Sequence, residues 1–188
     1  MSLFESEMPP GLIYIPNWLN GLEHDRILDL VDNSEFDTTL SRRVQHYGAR
    51  YNYESSSVEE IGTAPAVPHE LHLLCERLVS EGFFQRIPEQ IIVNEYIGNQ
   101  GIASHVDRTS FGSAIATVSL IESWTMRFRS PNADVVEVPL EKCSLAVMTG
   151  PARYEWTHEI AKKKNENIAG MRMPRGRRVS LTFRTIGV

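Results

Sequence analysis

Three features of this 188-residue chain predict a mainly β fold of the α+β type: an antiparallel sandwich or jelly roll, with early helices packed on one sheet. Helical spacing of apolar residues is confined to the first 90 positions. Beyond them, short β-rich stretches recur at near-regular intervals, at 91–97, 115–121, 124–129, 134–138, 144–149, 154–160 and 178–186. Turn-forming clusters ("IGNQG", "SPNAD", "TGP") separate them, which is the pattern of antiparallel sandwiches and jelly rolls. The length suits one domain, so residues 1–188 are expected to form a single unit. In it 1–90 supply the helices, and 91–188 the core.

Taken in order, "GLIYIPNWLN" reads as an opening strand and turn. In "LEHDRILDLVDNS", Leu22, Ile27, Leu28 and Val31 fall near helical spacing. "RRVQHYGARYNYESSS" is strand-like and runs into a polar loop. Pro65 and Pro68 precede a second helix, "HELHLLCERLVSEG", which Gly82 closes. The segment 161–177 lacks either period and reads as a flexible loop.

Composition excludes several classes. No run of 18 apolar residues exists, so no helix is expected to cross a membrane. "MSLFESEMPP" is acidic and short of apolar residues, unlike a signal peptide. Cys75 and Cys143 make no C-x-x-C pair and read as buried free thiols. A reducing intracellular setting, cytoplasmic or nuclear, is the expectation, with the protein a monomer. The net charge of −5 does not suggest a nucleic-acid binder, but it hides a segregation. Residues 162–178 carry +6 and the rest of the chain −11, so a local basic patch can attract phosphate.

The chemistry-bearing residues are scattered. "SHVDR" contains His105-x-Asp107, a weak signal alone. His158 lies in "RYEWTHEI", where strand alternation would put it on a face with Tyr154, Trp156 and Ile160. A histidine among aromatics is more often a core residue than a ligand. Together, however, two imidazoles and one carboxylate on one side of a metal leave open positions, the set used by non-haem Fe(II) oxygenases. Zinc with a bound water takes the same ligand types, so the three residues alone do not choose the metal.

The stretch "RVSLTFR" bears on the choice. Arg178, Ser180, Thr182 and Arg184 alternate with Val179, Leu181 and Phe183. At strand rise the two arginine α-carbons lie about 20 Å apart, and their side chains can lean inward to grip both ends of a short dicarboxylate. A dicarboxylate whose 2-keto acid end chelates Fe(II) is 2-oxoglutarate. Asn94 and Tyr96 share one face of the strand leading to His105 and can add neutral hydrogen bonds to the same carboxylates.

The pieces "NEY", "GIASHVDR", "SLAVMTGPARYEWTH" and "RGRRVSLTFR" resemble, in order, the AlkB family of Fe(II)/2-oxoglutarate-dependent dioxygenases. "PPGLIYIPNWL" and "RRVQHYGARYNYE" extend the likeness into the front half. The chain looks most similar to the branch whose catalytic domain hydroxylates a modified wobble uridine in tRNA, here with no RNA-recognition or methyltransferase domain attached. The resemblance implies that His105, Asp107 and His158 bind iron. It implies that Arg184 and Asn94 hold the metal-proximal end of 2-oxoglutarate, and Arg178 and Tyr96 the distal carboxylate. Ser180 stands where the DNA-repair prototype has an asparagine. The fold it implies is a double-stranded β-helix (jelly roll) with N-terminal helices and a substrate lid within 1–90; "QHYGARYNYE" would be in that lid, with Tyr47, Arg50, Tyr51 and Tyr53 stacking on a base or touching phosphate. The implied activity consumes O2 and 2-oxoglutarate and demethylates or hydroxylates an alkylated or modified base in single-stranded DNA or RNA. An oxygenase acting on a protein or small molecule, and a non-catalytic metal-binding jelly roll, are the alternatives.

Overall fold

A computed structural model describes residues 8–52, 57–168 and 170–187. In chain order the elements are β1 (Leu12–Ile15), α1 (Gly21–Asp32), β2 (Arg43–Tyr47), β3 (Ala49–Asn52), β4 (Ser57–Ile61), α2 (His69–Ser80), β5 (Gln90–Ile97), β6 (Ile102–His105), β7 (Phe111–Leu120) and β8 (Trp124–Arg129). They continue with β9 (Val135–Leu140), β10 (Leu145–Met148), α3 (Gly150–Tyr154), β11 (Thr157–Ile160), β12 (Asn165–Ile168), β13 (Met171–Pro174) and β14 (Arg177–Ile186). The larger sheet has six strands in the order β1-β10-β7-β14-β5-β2, and the smaller has four, β6-β11-β8-β9. All pairings are antiparallel, and the two sheets face each other as a jelly roll.

Local chemistry places the helices. Asn20 caps α1: its side chain accepts the Glu23 N–H at 2.9 Å, and the Glu23 carboxylate accepts the Asn20 N–H at 2.8 Å. His24, Ile27 and Val31 then form the buried stripe of α1; Leu71, Leu74, Cys75 and Leu78 form that of α2. Both stripes lie on the outer face of the larger sheet, against Ile91 and Val93 of β5 and Val179, Leu181 and Phe183 of β14. A second apolar cluster fills the space between the sheets, where Trp124, Met126 and Phe128 of β8 meet Tyr96, Ile115 and Met148.

Alternation along β14 therefore runs opposite to that of an ordinary surface strand. Its apolar residues face outward under the helices, and its polar residues face inward, with Arg178 1% exposed and Ser180 3%. The central position of β14, bonded to β5 on one side and β7 on the other, makes it the backbone of the inner cavity.

The segment 161–177 is not a loop. Asn165–Ile168 and Met171–Pro174 pair as a hairpin. Its base is held by a buried ion pair between Glu166 and Arg175. The Arg175 guanidinium also sits 4.1 Å over the Trp124 ring and donates to the Ala161 carbonyl at 2.8 Å. These anchors are tertiary, so no local periodicity announces them. They also change the meaning of the basic window. Glu166 neutralises Lys163 and Arg175, Asp32 and Glu95 neutralise Arg177, and Arg178 is buried, which leaves Lys162, Lys164 and Arg172 as its exposed cations.

The stretch 154–160 is also only partly a strand. Residues 150–154 form α3, so Tyr154 does not share a strand face with His158. That turn is tied to the front of the chain: Thr149 N–H donates to the Gly11 carbonyl at 2.9 Å and Ala152 N–H to the Pro10 carbonyl at 2.8 Å. Gly11 has φ +86°, and a Cβ there would stand 2.2 Å from the Thr149 carbonyl oxygen. Gly11→Ala is expected to lose at least about 1–2 kcal/mol to the left-handed backbone alone. That corresponds to a thermal midpoint lower by roughly 2–8 °C in a calorimetric or circular-dichroism melt.

Candidate metal and co-substrate site

Register brings the two histidines together. His105, the last residue of β6, is directly opposite His158 on β11, and their ring centroids lie 4.4 Å apart. Asp107 follows two residues past the end of β6 and turns back toward them, with Oδ2 3.5 Å from His158 Nε2. One donor atom from each residue lies within 4.8 Å of the other two, and among the described residues this is the group of acids, histidines and cysteines that can hold a metal ion.

The surrounding groups prepare those donors. His105 Nδ1 is 2.7 Å from the Ala103 carbonyl oxygen, which can only accept; Nδ1 therefore carries a proton, and Nε2 is the ring nitrogen left to serve as a ligand. Burial holds the His158 imidazole down at about 4, against the pull of Asp107, so the ring is neutral and a competent ligand at pH 7. Burial alone would raise the Asp107 carboxyl, but the Arg184 guanidinium, with His158, His105 and Arg153 behind it, outweighs that and holds it down at about 2. Asp107 Oδ1 accepts from Arg184 Nη2 at 2.7 Å, which fixes the carboxylate and leaves Oδ2 turned to the histidines.

The three residues open into a cavity of about 870 Å³ that Asn94, Tyr96, Arg178, Ser180, Thr182 and Arg184 also line. Cross-strand pairing sets Arg178 beside Tyr96 and Ser180 beside Asn94. Arg178 is the deep cation: Nη2 donates to Ser119 Oγ at 2.9 Å, and the guanidinium carbon lies 5.6 Å from the Tyr96 ring centroid. Burial pulls its pKa down to about 10, which still leaves it charged at pH 7. Arg184 is the cation beside the triad, shared between Asp107 and Gln90 Oε1 at 3.2 Å. The Asn94 amide oxygen accepts from Arg42 Nε at 2.8 Å, so its NH2 group is left to donate elsewhere.

The expected lid residues separate. Tyr51 lines the cavity, with its ring 6.1 Å from that of Phe111. Tyr47 does not: it has the opposite strand parity, is 6% exposed, and packs in the helix-side cluster with its hydroxyl donating to Gln45 Oε1 at 3.2 Å. Arg50 is exposed and 3.4 Å from Asp37. Tyr53 lies outside the described residues. Sequence reasoning passed over Arg42 and Arg108 at the cavity wall and the fully buried Arg153 behind Asp107. Arg153 had one signal: an arginine among small and aromatic residues in "GPARYEW", five positions before His158.

A model of the family described as the 2OG-Fe(II) oxygenase superfamily matches residues 23–184. The chain belongs to the 2OG-Fe(II) oxygenase superfamily. Within it, the chain is similar to AlkB homologues, ALKBH8 among them. It is 31% identical over 204 residues to mouse tRNA (carboxymethyluridine(34)-5-O)-methyltransferase ALKBH8, covering 95% of this chain and 31% of the mouse protein. The chain thus spans about a third of the length of that relative. It is 29% identical to protein L905 of Acanthamoeba polyphaga mimivirus, covering 94% of this chain and 85% of that one. Among solved structures, OsALKBH1 superposes with a TM-score of 0.70 at 19% identity, covering 95% and 98% of the two chains, a likeness of fold.

The residues present fit the groups this superfamily uses, Fe(II) and 2-oxoglutarate. Buried N–H groups on both arginines, Nε and Nη1 of Arg178 and Nε of Arg184, have no partner within the described protein. Buried unpaired donors on charged groups are costly, and a dianion between them would satisfy each. The donor set of two imidazoles and one carboxylate suits Fe(II).

Proposed function

We propose that His105, Asp107 and His158 hold Fe(II), that Arg178 and Arg184 hold the two carboxylates of 2-oxoglutarate, and that the target is an alkylated or modified base in single-stranded DNA or RNA, tRNA included. The observation that carries this reading is one cavity lined by both the ligand triad and the two arginines with unpaired donors. When bound, the iron, with 2-oxoglutarate and O2, supplies hydroxylation of a C–H bond; an N-methyl product then falls apart to formaldehyde, whereas a carbon-linked hydroxyl stays. The chain's own residues do the positioning. Arg184 orients Asp107 and takes the metal-proximal carboxylate with the Asn94 amide. Arg178, Tyr96 and Ser180 take the distal one, deep between the sheets where water is excluded.

The nucleic-acid part rests on charge at the mouth. Besides the two deep arginines, the cavity wall carries Arg42, Arg108 and Lys162, and among the described residues its one acid is the buried Asp107. Flanking phosphates suit such a wall, and Tyr51 offers a ring for an unpaired base. The mouse relative's name refers to tRNA, in keeping with this substrate.

The test is succinate formation with Fe(II), alone and with a panel of methylated and wobble-modified DNA and RNA oligonucleotides. Turnover should rise with one substrate class, and formaldehyde or a hydroxylated base should accumulate with it. Joint reversal of Arg108 and Lys162 to Glu should weaken oligonucleotide binding. It should also lower the salt slope by about one for each phosphate no longer neutralised, leaving uncoupled 2-oxoglutarate turnover unchanged. Undetectable oligonucleotide binding at low salt would transfer the reading to a protein or small-molecule substrate.

A further inference from the structure

Arg153 is one of the largest fully buried side chains, 1% exposed, and no acidic side chain pairs with it among the described residues. A buried guanidinium without a carboxylate partner is expensive unless its donors are otherwise satisfied. Here they are satisfied by main-chain carbonyls from a single loop. Nη1 donates to the Asp107 carbonyl at 2.8 Å and Nη2 to the Arg108 carbonyl at 2.5 Å. Longer contacts of 3.4 Å reach the carbonyls of Phe111 and Gly112. The loop so gathered runs from the end of β6 to the start of β7 and carries Asp107. Arg153 itself belongs to α3, five residues before His158, and α3 is pinned to Pro10 and Gly11.

We infer that Arg153 is a positioning residue for the metal site: it clamps the backbone of the Asp107 loop to the turn that leads into His158, so that the two ligands move as one frame. The inference rests on the metal reading of the triad. The physical reason is geometric. Asp107 is not in a strand, so no ladder hydrogen bond fixes its backbone as β6 and β11 fix the histidines. A planar fork with five donors can bridge several carbonyls of one loop at once; an ammonium or an amide of similar reach cannot.

The experiment compares Mn(II) affinity, read by anaerobic titration, in the wild type, Arg153→Lys and Leu78→Ala. Leu78 is fully buried under α2, on the far face of the larger sheet, and its truncation destabilises the fold without touching the site. All titrations run well below the melting temperatures. Arg153→Lys should bind Mn(II) about 10- to 100-fold more weakly, the range found when partners behind metal ligands are removed. Leu78→Ala should bind as the wild type does. Equal Mn(II) affinity in folded Arg153→Lys overturns the inference, as does an equal loss in Leu78→Ala. Hydrogen exchange of the wild type needs no variant. Adding Zn(II) should slow exchange of the 108–112 amides and of the Arg153 Nε–H together; protection of the amides with no change at Arg153 also overturns it. A wild type that binds no Mn(II) would remove the metal reading, and this inference with it, whereas the other adverse outcomes remove this inference alone.

Discussion

Asp107→Ala is expected to lose Fe(II) affinity by more than about 100-fold, and 2-oxoglutarate turnover with it, because a ligand matters more than the groups that orient it. Asp107→Asn separates this loss from any damage to the fold. The amide keeps the shape of the carboxylate and can still accept from Arg184 Nη2, which lies 2.7 Å from Oδ1. It lacks the negative charge that a 2+ ion selects. The variant gives up the ion pair with Arg184 and should melt somewhat lower, yet remain folded at the titration temperature and still fail to bind iron. Anaerobic Fe(II) titration of both variants checks this. Wild-type affinity in either one would remove Asp107 from the metal site.

Arg178→Ala and Arg184→Ala are expected to damage co-substrate binding far more than iron binding. Losing one charged partner in a desolvated pocket is worth about 2–5 kcal/mol, or roughly 30- to 5,000-fold in affinity. The two variants should differ in kind. Arg178 is 1% exposed, its protein-side hydrogen bond is to one hydroxyl, and it keeps unpaired donors for a ligand. Its loss should appear almost purely in 2-oxoglutarate affinity. Arg184 also holds Asp107, so its removal should weaken the metal as well, by a smaller factor. Arg178→Lys should recover only part of the loss, because an ammonium cannot reproduce a two-donor planar fork. Titration of 2-oxoglutarate into the anaerobic Fe(II) enzyme measures each effect. Wild-type affinity in both alanine variants, with iron bound, would mean that these arginines serve another purpose.

Legibility followed the range of the forces involved. Strand alternation is local, so "RVSLTFR" shows which side chains share a face before any partner strand is known. Helix stripes and the Asn20 cap are local in the same sense. What alternation does not show is which face is inside. In β14 both faces are buried, one by helices and one by the opposing sheet, and only packing tells the outer apolar face from the inner charged one. The same limit explains Tyr47 and Tyr51. They look equivalent in "HYGARYNY", yet the backbone reverses its parity at Gly48, with φ +78°, and sends the first into the helix-side core and the second to the cavity.

Legible in the chain were the strand-rich architecture, the superfamily, and two histidines, one aspartate and two arginines as candidates for its chemistry. Those properties reside in residue type, spacing and order along the chain. Packing in three dimensions was needed to show that His105 faces His158 across a ladder, that the basic segment folds as a hairpin with Lys163, Arg175 and Arg177 already paired, and that Arg153 donates to the main chain of the Asp107 loop. Each of these depends on groups far apart in sequence meeting at hydrogen-bonding distance. Such meetings are set by strand register and by the cost of burying an unpaired charge, and neither leaves a periodic mark on the chain.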